Sequence, residues 1–196
     1  NPAPRAWQPI FDPPDSAMLV GNRLYLRAYT PEDAELAARQ LLEETEISFP
    51  EGRDLLTPYV SASSVRENAR QPLPREHRFA MVLGETGKMI GSNALVLPDP
   101  FIGAAATETE IWTAEHRNKG YGTEAKHLLL EYAFERLGLH MVYSWVSEFN
   151  QRSAAALRKQ GYRDAGYIAW GDYHGTDLYG GLLFDLLASE WRAARR

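Results

Sequence analysis

A helical pattern of apolar residues dominates the second half of the chain. Between residues 121 and 137 the apolar side chains recur at helical spacing, and Lys126, Glu131 and Glu135 are predicted to lie on the opposite, outward face. Gly138 follows as a C-terminal stop. This is the best-defined helix in the sequence, and its apolar face consists of Ala125, Leu128, Leu129, Tyr132, Ala133 and Leu137.

The segments before and after this helix have strand patterns. Residues 107–113 alternate in polarity and are rich in β-branched and aromatic side chains, and residues 141–146 form a second run of this kind. The strand, helix and strand together predict a β-α-β unit.

The remaining segments predict further elements of one α/β domain. Residues 21–29 predict a strand, Thr30 and Pro31 predict a helix start, and residues 78–83 and 88–97 predict a hairpin. A short helix is expected near residues 63–69. Residues 1–18 are rich in proline and are expected to form an N-terminal arm, which leaves residues 19–196 as a single domain.

Composition narrows the classes of function. The net charge of -5 argues against nucleic acid and anionic membranes and favours a cationic or amine partner. The absence of cysteine excludes disulfides, thiolate metal ligands and a cysteine nucleophile, and the histidines do not cluster at metal-ligand spacing. No metal site is therefore predicted. A cytoplasmic location is expected, since the sequence has neither cysteines nor a membrane-length apolar run nor a signal-peptide core.

The turn between the first strand and the helix carries the most specific chemistry. Gly120 and Gly122 let the backbone approach a ligand, and the helix that follows presents unpaired N–H groups and the positive end of its dipole. Arg117 and Lys119 add two cations. The turn therefore predicts a phosphate or diphosphate site. Nucleotide motifs do not account for it, because the Walker pattern is absent and no acidic residue ends the next strand as a ribose partner would.

The spacing of Arg117, Gly120 and Gly122 resembles the R-x-x-G-x-G acyl-CoA motif of the Gcn5-related N-acetyltransferase (GNAT) superfamily. Residues 150–162 resemble the N-x-x-S-x-x-x-x-x-K-x-G-[FY] stretch of its ribosomal-protein-alanine N-acetyltransferase branch, the RimJ/RimL type. Residues 24–33 and 175–191 are similar to the opening strand and closing hairpin of that branch.

This resemblance implies a fold and an activity. The implied fold is the α/β GNAT acyl-CoA N-acyltransferase fold, in which helices flank a mostly antiparallel, splayed central sheet. The implied enzyme moves an acetyl group from acetyl-CoA directly to a primary amine of a protein N-terminus, an antibiotic or a polyamine. A homodimer is common in this family, although the sequence does not determine the oligomeric state.

The resemblance also assigns cofactor-binding residues. Main-chain groups of Ile111, Trp112 and Thr113 are expected to contact the pantetheine arm. Asn150 is expected to hold the CoA arm, to cap the helix that follows it, or to do both. The turn expected to hold the diphosphate consists of Arg117, Asn118, Lys119, Gly120, Tyr121, Gly122 and Thr123.

Three side chains are the main catalytic candidates. Glu108 and Glu110 lie two apart on one strand face, so that either is a candidate base for the amine; the alternative is a solvent-facing acidic pair. Leu157 stands where many family members have a tyrosine that protonates the leaving thiolate. Ser153 matches the serine for which the RimJ/RimL-type branch suggests this role, and the alternative is a hydroxyl that bonds the backbone of its helix. Glu148 is a further candidate base.

Other interpretations stay open. A non-catalytic acyl-CoA-binding sensor would keep the turn and lack the tyrosine, whereas a mononucleotide-binding regulator would bind ATP or NAD instead of CoA. The acidic residues 43–46 lie in the segment that forms one wall of the acceptor cleft in the family. We hypothesise that they attract a cationic acceptor.

Overall fold

The computed structural model describes residues 6–43, 63, 66, 76–97, 103–174 and 177–195. Eight strands form one sheet: β1 (Leu19–Val20), β2 (Leu24–Ala28), β3 (Glu76–Leu83), β4 (Met89–Val96), β5 (Ala104–Ile111), β6 (Met141–Ser147), β7 (Arg163–His174) and β8 (Asp177–Leu187). Their order across the sheet is β1-β2-β3-β4-β5-β6-β8-β7. Only the β5–β6 pair is parallel among these strands, and the other neighbours are antiparallel.

Helices connect and cover this sheet. They are α1 (Pro31–Glu43), α2 (Tyr121–Glu131), α3 (Gln151–Lys159) and α4 (Ala188–Ala194), and α2 continues as one wide turn over Tyr132–Arg136. Gly138 then has a φ of 67°, a left-handed conformation that ends the helix as predicted. The predicted helix near residues 63–69 lies mostly outside the described residues. Within the described residues, no helix is both long and apolar enough to cross a bilayer.

The two parallel strands separate soon after they meet. β5 pairs with β6 only from Ala104 to Ala106, opposite Met141 to Tyr143, although both strands continue for several residues. β4 still pairs with the rest of β5, and β8 with the rest of β6. A gap therefore opens within the sheet between the far halves of β5 and β6. The expected mixed α/β fold with a splayed sheet is confirmed.

Alternation along the strands divides the core between the two faces of the sheet. On one face Leu24 and Phe79 pack with α2, α3 and α4, and on the other Tyr25 and Ala80 pack with Ala37 of α1. We call these the α2 face and the α1 face. Because successive residues of β5 alternate, Thr107 and Thr109 belong to the α2 face, and Glu108 and Glu110 to the α1 face.

One residue of α2 differs from the sequence prediction. Lys126, predicted on the outward face of α2, is buried with only 4% of its surface exposed, so this prediction was wrong. The reason is that residues 124–130 are all buried, since the sheet and the neighbouring elements enclose α2 on most sides. The N-terminal segment contacts the domain: the Trp7 indole donates to Glu131 over 3.1 Å, and the Phe11 ring lies 5.9 Å from that of Tyr25.

Candidate functional site

The turn before α2 has the backbone geometry of an anion site. Asn118 and Gly120 have φ angles of 60° and 83°, and the first helical hydrogen bond runs from the Glu124 N–H to the Gly120 carbonyl. The N–H groups of residues 121–123 precede that bond, so they have no acceptor within the helix. Gly120 supplies the left-handed conformation that aims these groups outward.

The cations around this turn differ from the sequence expectation. The Arg117 guanidinium folds back and donates to the carbonyls of Ile111 and Trp112, over 3.1 and 2.6 Å, which ties the turn to the end of β5. Arg23, which sequence reasoning missed, instead reaches the turn and donates to the Lys119 carbonyl over 2.9 Å. No local motif marks Arg23, because it comes from the β1–β2 loop, far away along the chain.

A buried carboxylate holds Arg23 in this place. Glu124 accepts from the Arg23 main-chain N–H at 2.7 Å, from the Arg23 Nε at 2.9 Å and from the Leu24 N–H at 3.3 Å. The Arg23 guanidinium also lies over the Tyr121 ring, 4.7 Å from its centroid. The first turn of α2 is thus fixed to the start of β2, and a second cation stands beside Lys119.

Three buried hydroxyl groups close the inner end of the gap. The Thr107 hydroxyl lies 2.5 Å from that of Ser144 and 3.0 Å from that of Tyr162, and the Ser144 hydroxyl donates to the Thr107 carbonyl over 3.0 Å. Burial raises the pKa of the Tyr162 phenol, so it stays neutral. These side chains replace the main-chain ladder where it ends. Beyond them, alternate residues of β5 up to Ile111 turn their main-chain groups toward the gap without β6 as a partner, because the residues between them pair with β4.

The two glutamates of β5 have different surroundings. Glu108 is half-exposed and forms a 3.0 Å ion pair with Arg78 of β3. Solvent reaches Glu110, yet protein surrounds it closely enough that desolvation raises the pKa of its carboxyl group; Arg78 opposes this rise and Glu108 adds to it. Of the two, Glu110 is the better candidate base, because a raised carboxyl pKa strengthens the base and no ion pair occupies it.

The α1 face around these glutamates is acidic. Glu76, Glu108 and Glu110 lie around the single guanidinium of Arg78, which bonds both Glu76 and Glu108. Burial raises the pKa of the nearby Tyr29 phenol to about 12, so that it is neutral at physiological pH. Of the described charged groups around Arg78, three are carboxylates and one is a cation, so this cluster carries a net negative charge. Of the acidic run at 43–46, only Glu43, the last residue of α1, lies within the described residues.

The candidate site residues in and just before α3 have different structural surroundings. The side-chain Oδ1 of Asn150 accepts from the Ser153 N–H over 3.0 Å, so the capping role of Asn150 is present, and no described residue accepts from its side-chain N–H₂. Ser153 is half-buried in the first turn of α3, and Leu157 is buried in the core. Glu148 accepts from the Tyr167 hydroxyl and the Gly180 N–H, both at 3.0 Å, which favours a structural role for it.

The remaining cofactor candidates line the end of β5. Ile111 and Thr113 are partly exposed, whereas the Trp112 side chain is buried on the α1 face beside Tyr25 and Met89. The main-chain groups of Trp112 also have partners, since the N–H donates to the Ile90 carbonyl over 3.3 Å and the carbonyl accepts from Arg117. Among the described residues, no group of three or more metal-ligating side chains is placed to hold a metal ion.

Comparison with known proteins identifies the family of this arrangement. Residues 23–163 match the family model described as the acetyltransferase (GNAT) domain. The chain is 25% identical to the uncharacterized N-acetyltransferase p20 of Bacillus licheniformis, over 88% of this chain and 97% of that protein. It is also 27% identical to the uncharacterized N-acetyltransferase YnaD of Bacillus subtilis, in a match that spans 41% of this chain and about half (48%) of that protein.

Solved structures share the fold at low sequence identity. A chimera of the spermidine N-acetyltransferase SpeG from Vibrio cholerae and hSSAT superposes with a TM-score of 0.74 at 21% identity, covering 87% of this chain and 98% of that one. A structure of the Vibrio cholerae enzyme in complex with CoA and spermine has a TM-score of 0.70 at 18% identity, covering 88% and 99%. At this level of identity the likeness concerns the fold.

Proposed function

The chain belongs to the GNAT acetyltransferase family, whose members use acetyl-CoA, and we propose that it transfers the acetyl group directly to a primary amine in the gap between β5 and β6. The observation that carries this proposal is the gap itself. A sheet interior normally satisfies its main-chain groups, and here β5 continues beyond its pairing with β6, so that alternate main-chain groups past Ala106 lack a strand partner beside the turn that precedes α2.

The donor side of this proposal follows from the length and chemistry of the coenzyme. The N–H groups of residues 121–123, with Lys119 and Arg23 beside them, would hold the diphosphate. The pantetheine amides would then pair with the main-chain groups of β5 that β6 leaves without a partner, inwards from the Ile111 carbonyl that Arg117 binds, in the manner of an added strand. Asn150 offers its amide N–H₂ from the opposite wall. In this arrangement a β5 main-chain N–H polarises the thioester oxygen.

The amine acceptor must be bound and deprotonated, which requires negative charge and a base. Presenting a lysine-like amine in its neutral form at pH 7 costs roughly 4.6 kcal/mol, given a solution pKa near 10.4. We assign the acceptance of the amine proton to Glu110, directly or through one water molecule. Glu108 and Glu76 would attract the cationic form of the acceptor to the α1 face.

Within the class of amines, the acidic α1 face favours a polycation. A polyamine carries several positive charges that the carboxylates around Arg78 would bind, whereas the α-amino group of a protein N-terminus carries only one. The structural neighbours that act on spermidine are consistent with this choice. Membership of the RimJ/RimL-type branch, and hence a ribosomal-protein N-terminus as acceptor, is the second proposal, supported by the pattern of residues 150–162.

A two-step experiment tests the function. Thermal melting with acetyl-CoA, CoA, ATP and NAD first identifies the cofactor, and we expect stabilisation by the two CoA compounds alone. Release of the CoA thiol is then followed with spermidine, spermine, an aminoglycoside and peptides that begin with alanine or serine. Turnover fastest with the polyamines, with a KM that rises with salt, supports the proposal.

The other outcomes have distinct meanings. Fastest turnover with the peptides would favour the ribosomal-protein branch. Tight CoA binding without turnover on any amine would favour a sensor module. Stabilisation by ATP or NAD alone would contradict the assignment of the turn.

A further inference from the structure

Lys126 is an amine that the protein encloses almost completely. Only 4% of its surface is exposed. Burial lowers the pKa of this amine to about 7, opposed only by the negative charge of Glu108. Enclosing an amine in this way has a free-energy cost, because burial disfavours its charged form.

Helix geometry places Lys126 at the gap. Gly122, one turn earlier on the same side of α2, lies over β5, since a Cβ added there would be 3.6 Å from Ile111 and 3.8 Å from Thr109. A helix that joins two parallel strands runs opposite to them, and four helical residues advance about 6 Å, the rise of about two strand residues. Lys126 thus lies over β5 between Thr109 and Thr107.

Two further observations agree with this position. Thr107 closes the inner end of the gap through its bond to Ser144, so the amine lies near the point at which the strands separate. Glu108 projects from the opposite face of the sheet, yet it acts on Lys126 electrostatically.

We propose that Lys126 faces the sulfur of the bound coenzyme and donates the proton that the leaving thiolate requires. This inference rests on the proposed function and deepens it. As the acceptor nitrogen bonds to the acetyl carbon, the carbon–sulfur bond breaks, its electron pair stays on sulfur, and the sulfur takes a proton from the Lys126 ammonium. The neutral Lys126 then regains a proton from solvent, and the products are the N-acetylated amine and CoA thiol.

The surroundings of Lys126 suit this role. An amine whose pKa lies near 7 has both forms populated at neutral pH, so it donates a proton and regains it without a large free-energy cost. Leu157 offers no proton in place of the tyrosine that many relatives use. Glu108 is the only charged group of the described residues that shifts the pKa of Lys126, and the nearby Tyr162 phenol is neutral.

Titration of the CoA thiol in its complex tests the inference without an acceptor. The ultraviolet absorbance of the thiolate is followed against pH for CoA bound to the wild-type protein, to Lys126→Met and to Lys88→Met. Methionine matches the length of lysine and removes the charge. Lys88 pairs with Glu115 on the exposed surface, so its substitution is the matched control. An adjacent ammonium stabilises a thiolate. We expect the acid dissociation constant of the thiol to fall at least tenfold in Lys126→Met and to stay unchanged in Lys88→Met.

The possible results separate the inference from the proposed function. Failure of the wild-type protein to bind CoA would overturn both. Tight CoA binding with the same thiol titration in the wild-type protein and Lys126→Met would overturn only the role of Lys126. Lys126→Gln provides a second neutral variant if the methionine variant does not fold. With an acceptor in hand, Lys126→Met should lower kcat at least tenfold while the KM for acetyl-CoA changes less than threefold.

Discussion

The hydroxyl oxygens of Thr107 and Ser144 lie 2.5 Å apart at the point where β5 and β6 stop pairing. Each strand contributes one small hydroxyl side chain, and Ser144 also donates to the Thr107 carbonyl. This contact satisfies groups that the ladder would otherwise leave unpaired. It ends the pairing of the strands at a defined level, so the gap begins there and extends toward the turn before α2.

Removing this contact should destabilise the protein. In Ser144→Ala, the Thr107 carbonyl and hydroxyl are left in a buried position without that partner, and we expect the free energy of unfolding to fall by about 1–3 kcal/mol. Urea denaturation measures the change. Ser147→Ala, near the outer end of the same strand, is the control, since Ser147 is only partly buried. Equal stability of Ser144→Ala and the wild-type protein would contradict the structural role of the contact.

The two glycines of the turn should respond differently to the same substitution. Gly120 has a φ of 83°, and an added Cβ would lie 3.3 Å from Arg23, so Gly120→Ala forces a strained backbone at the cation site. We expect the CoA dissociation constant to rise at least tenfold, through a cost of about 1–2 kcal/mol. Isothermal titration calorimetry measures it.

Gly122→Ala is the matched control for that substitution. Its added Cβ would make only ordinary contacts, at 3.6 and 3.8 Å, and its backbone is helical. The variant should fold normally and should bind CoA within about fivefold of the wild-type affinity, because the substitution should change the binding free energy by less than about 1 kcal/mol. If both alanine variants bound CoA as the wild-type protein does, the turn would not be the diphosphate site.

Glu110→Gln should remove the base and change the pH dependence of the reaction. We expect kcat to fall by about 10²–10⁴-fold. In the wild-type protein, activity should be lost as the pH falls through the raised pKa of Glu110, because the protonated carboxyl cannot accept the amine proton. Initial rates across pH, with the best amine of the panel, measure both effects. Glu108→Gln is the comparison and should mainly raise the acceptor KM.

Glu110→Gln should also affect the free energy of unfolding, in a direction that follows from the raised pKa of Glu110. Folding raises the pKa of Glu110, so the folded state binds this proton more tightly than the unfolded chain does, and the contribution of Glu110 to stability falls as the pH rises through that window. Glu110→Gln should therefore be at least as stable as the wild-type protein at pH 7. A lower Tm in the variant would indicate that the carboxylate has a structural partner and is not held for catalysis.

Glu124 should stabilise both the fold and the turn. It is buried and accepts from two main-chain N–H groups and from Arg23, so Glu124→Ala leaves these donors without an acceptor. We expect a loss of about 1–3 kcal/mol in the free energy of unfolding and weaker CoA binding. Glu131→Ala, on the same helix but partly exposed, should cost less. Chemical denaturation and calorimetry on both variants make the comparison.

Local patterns in the sequence determined much of this protein. The helical spacing from Ala125 onward, the strands on either side and the glycine turn predicted the β-α-β unit correctly, because these features depend on neighbouring residues. The match of residues 23–163 to the GNAT domain agrees with the family that the turn motif indicated. The individual site residues remain predictions.

Only the tertiary structure decided which side chains meet in the gap. Two of these features join segments that are far apart in sequence, namely the approach of Arg23 to Lys119 and the contact of Thr107 with Ser144. The burial of Lys126 depends instead on what covers its helix from outside. A periodic pattern assigns one apolar face to α2, but the sheet and the neighbouring elements enclose that helix on most sides. A lysine on its polar face was thereby placed inside the protein, since burial depends on packing in three dimensions.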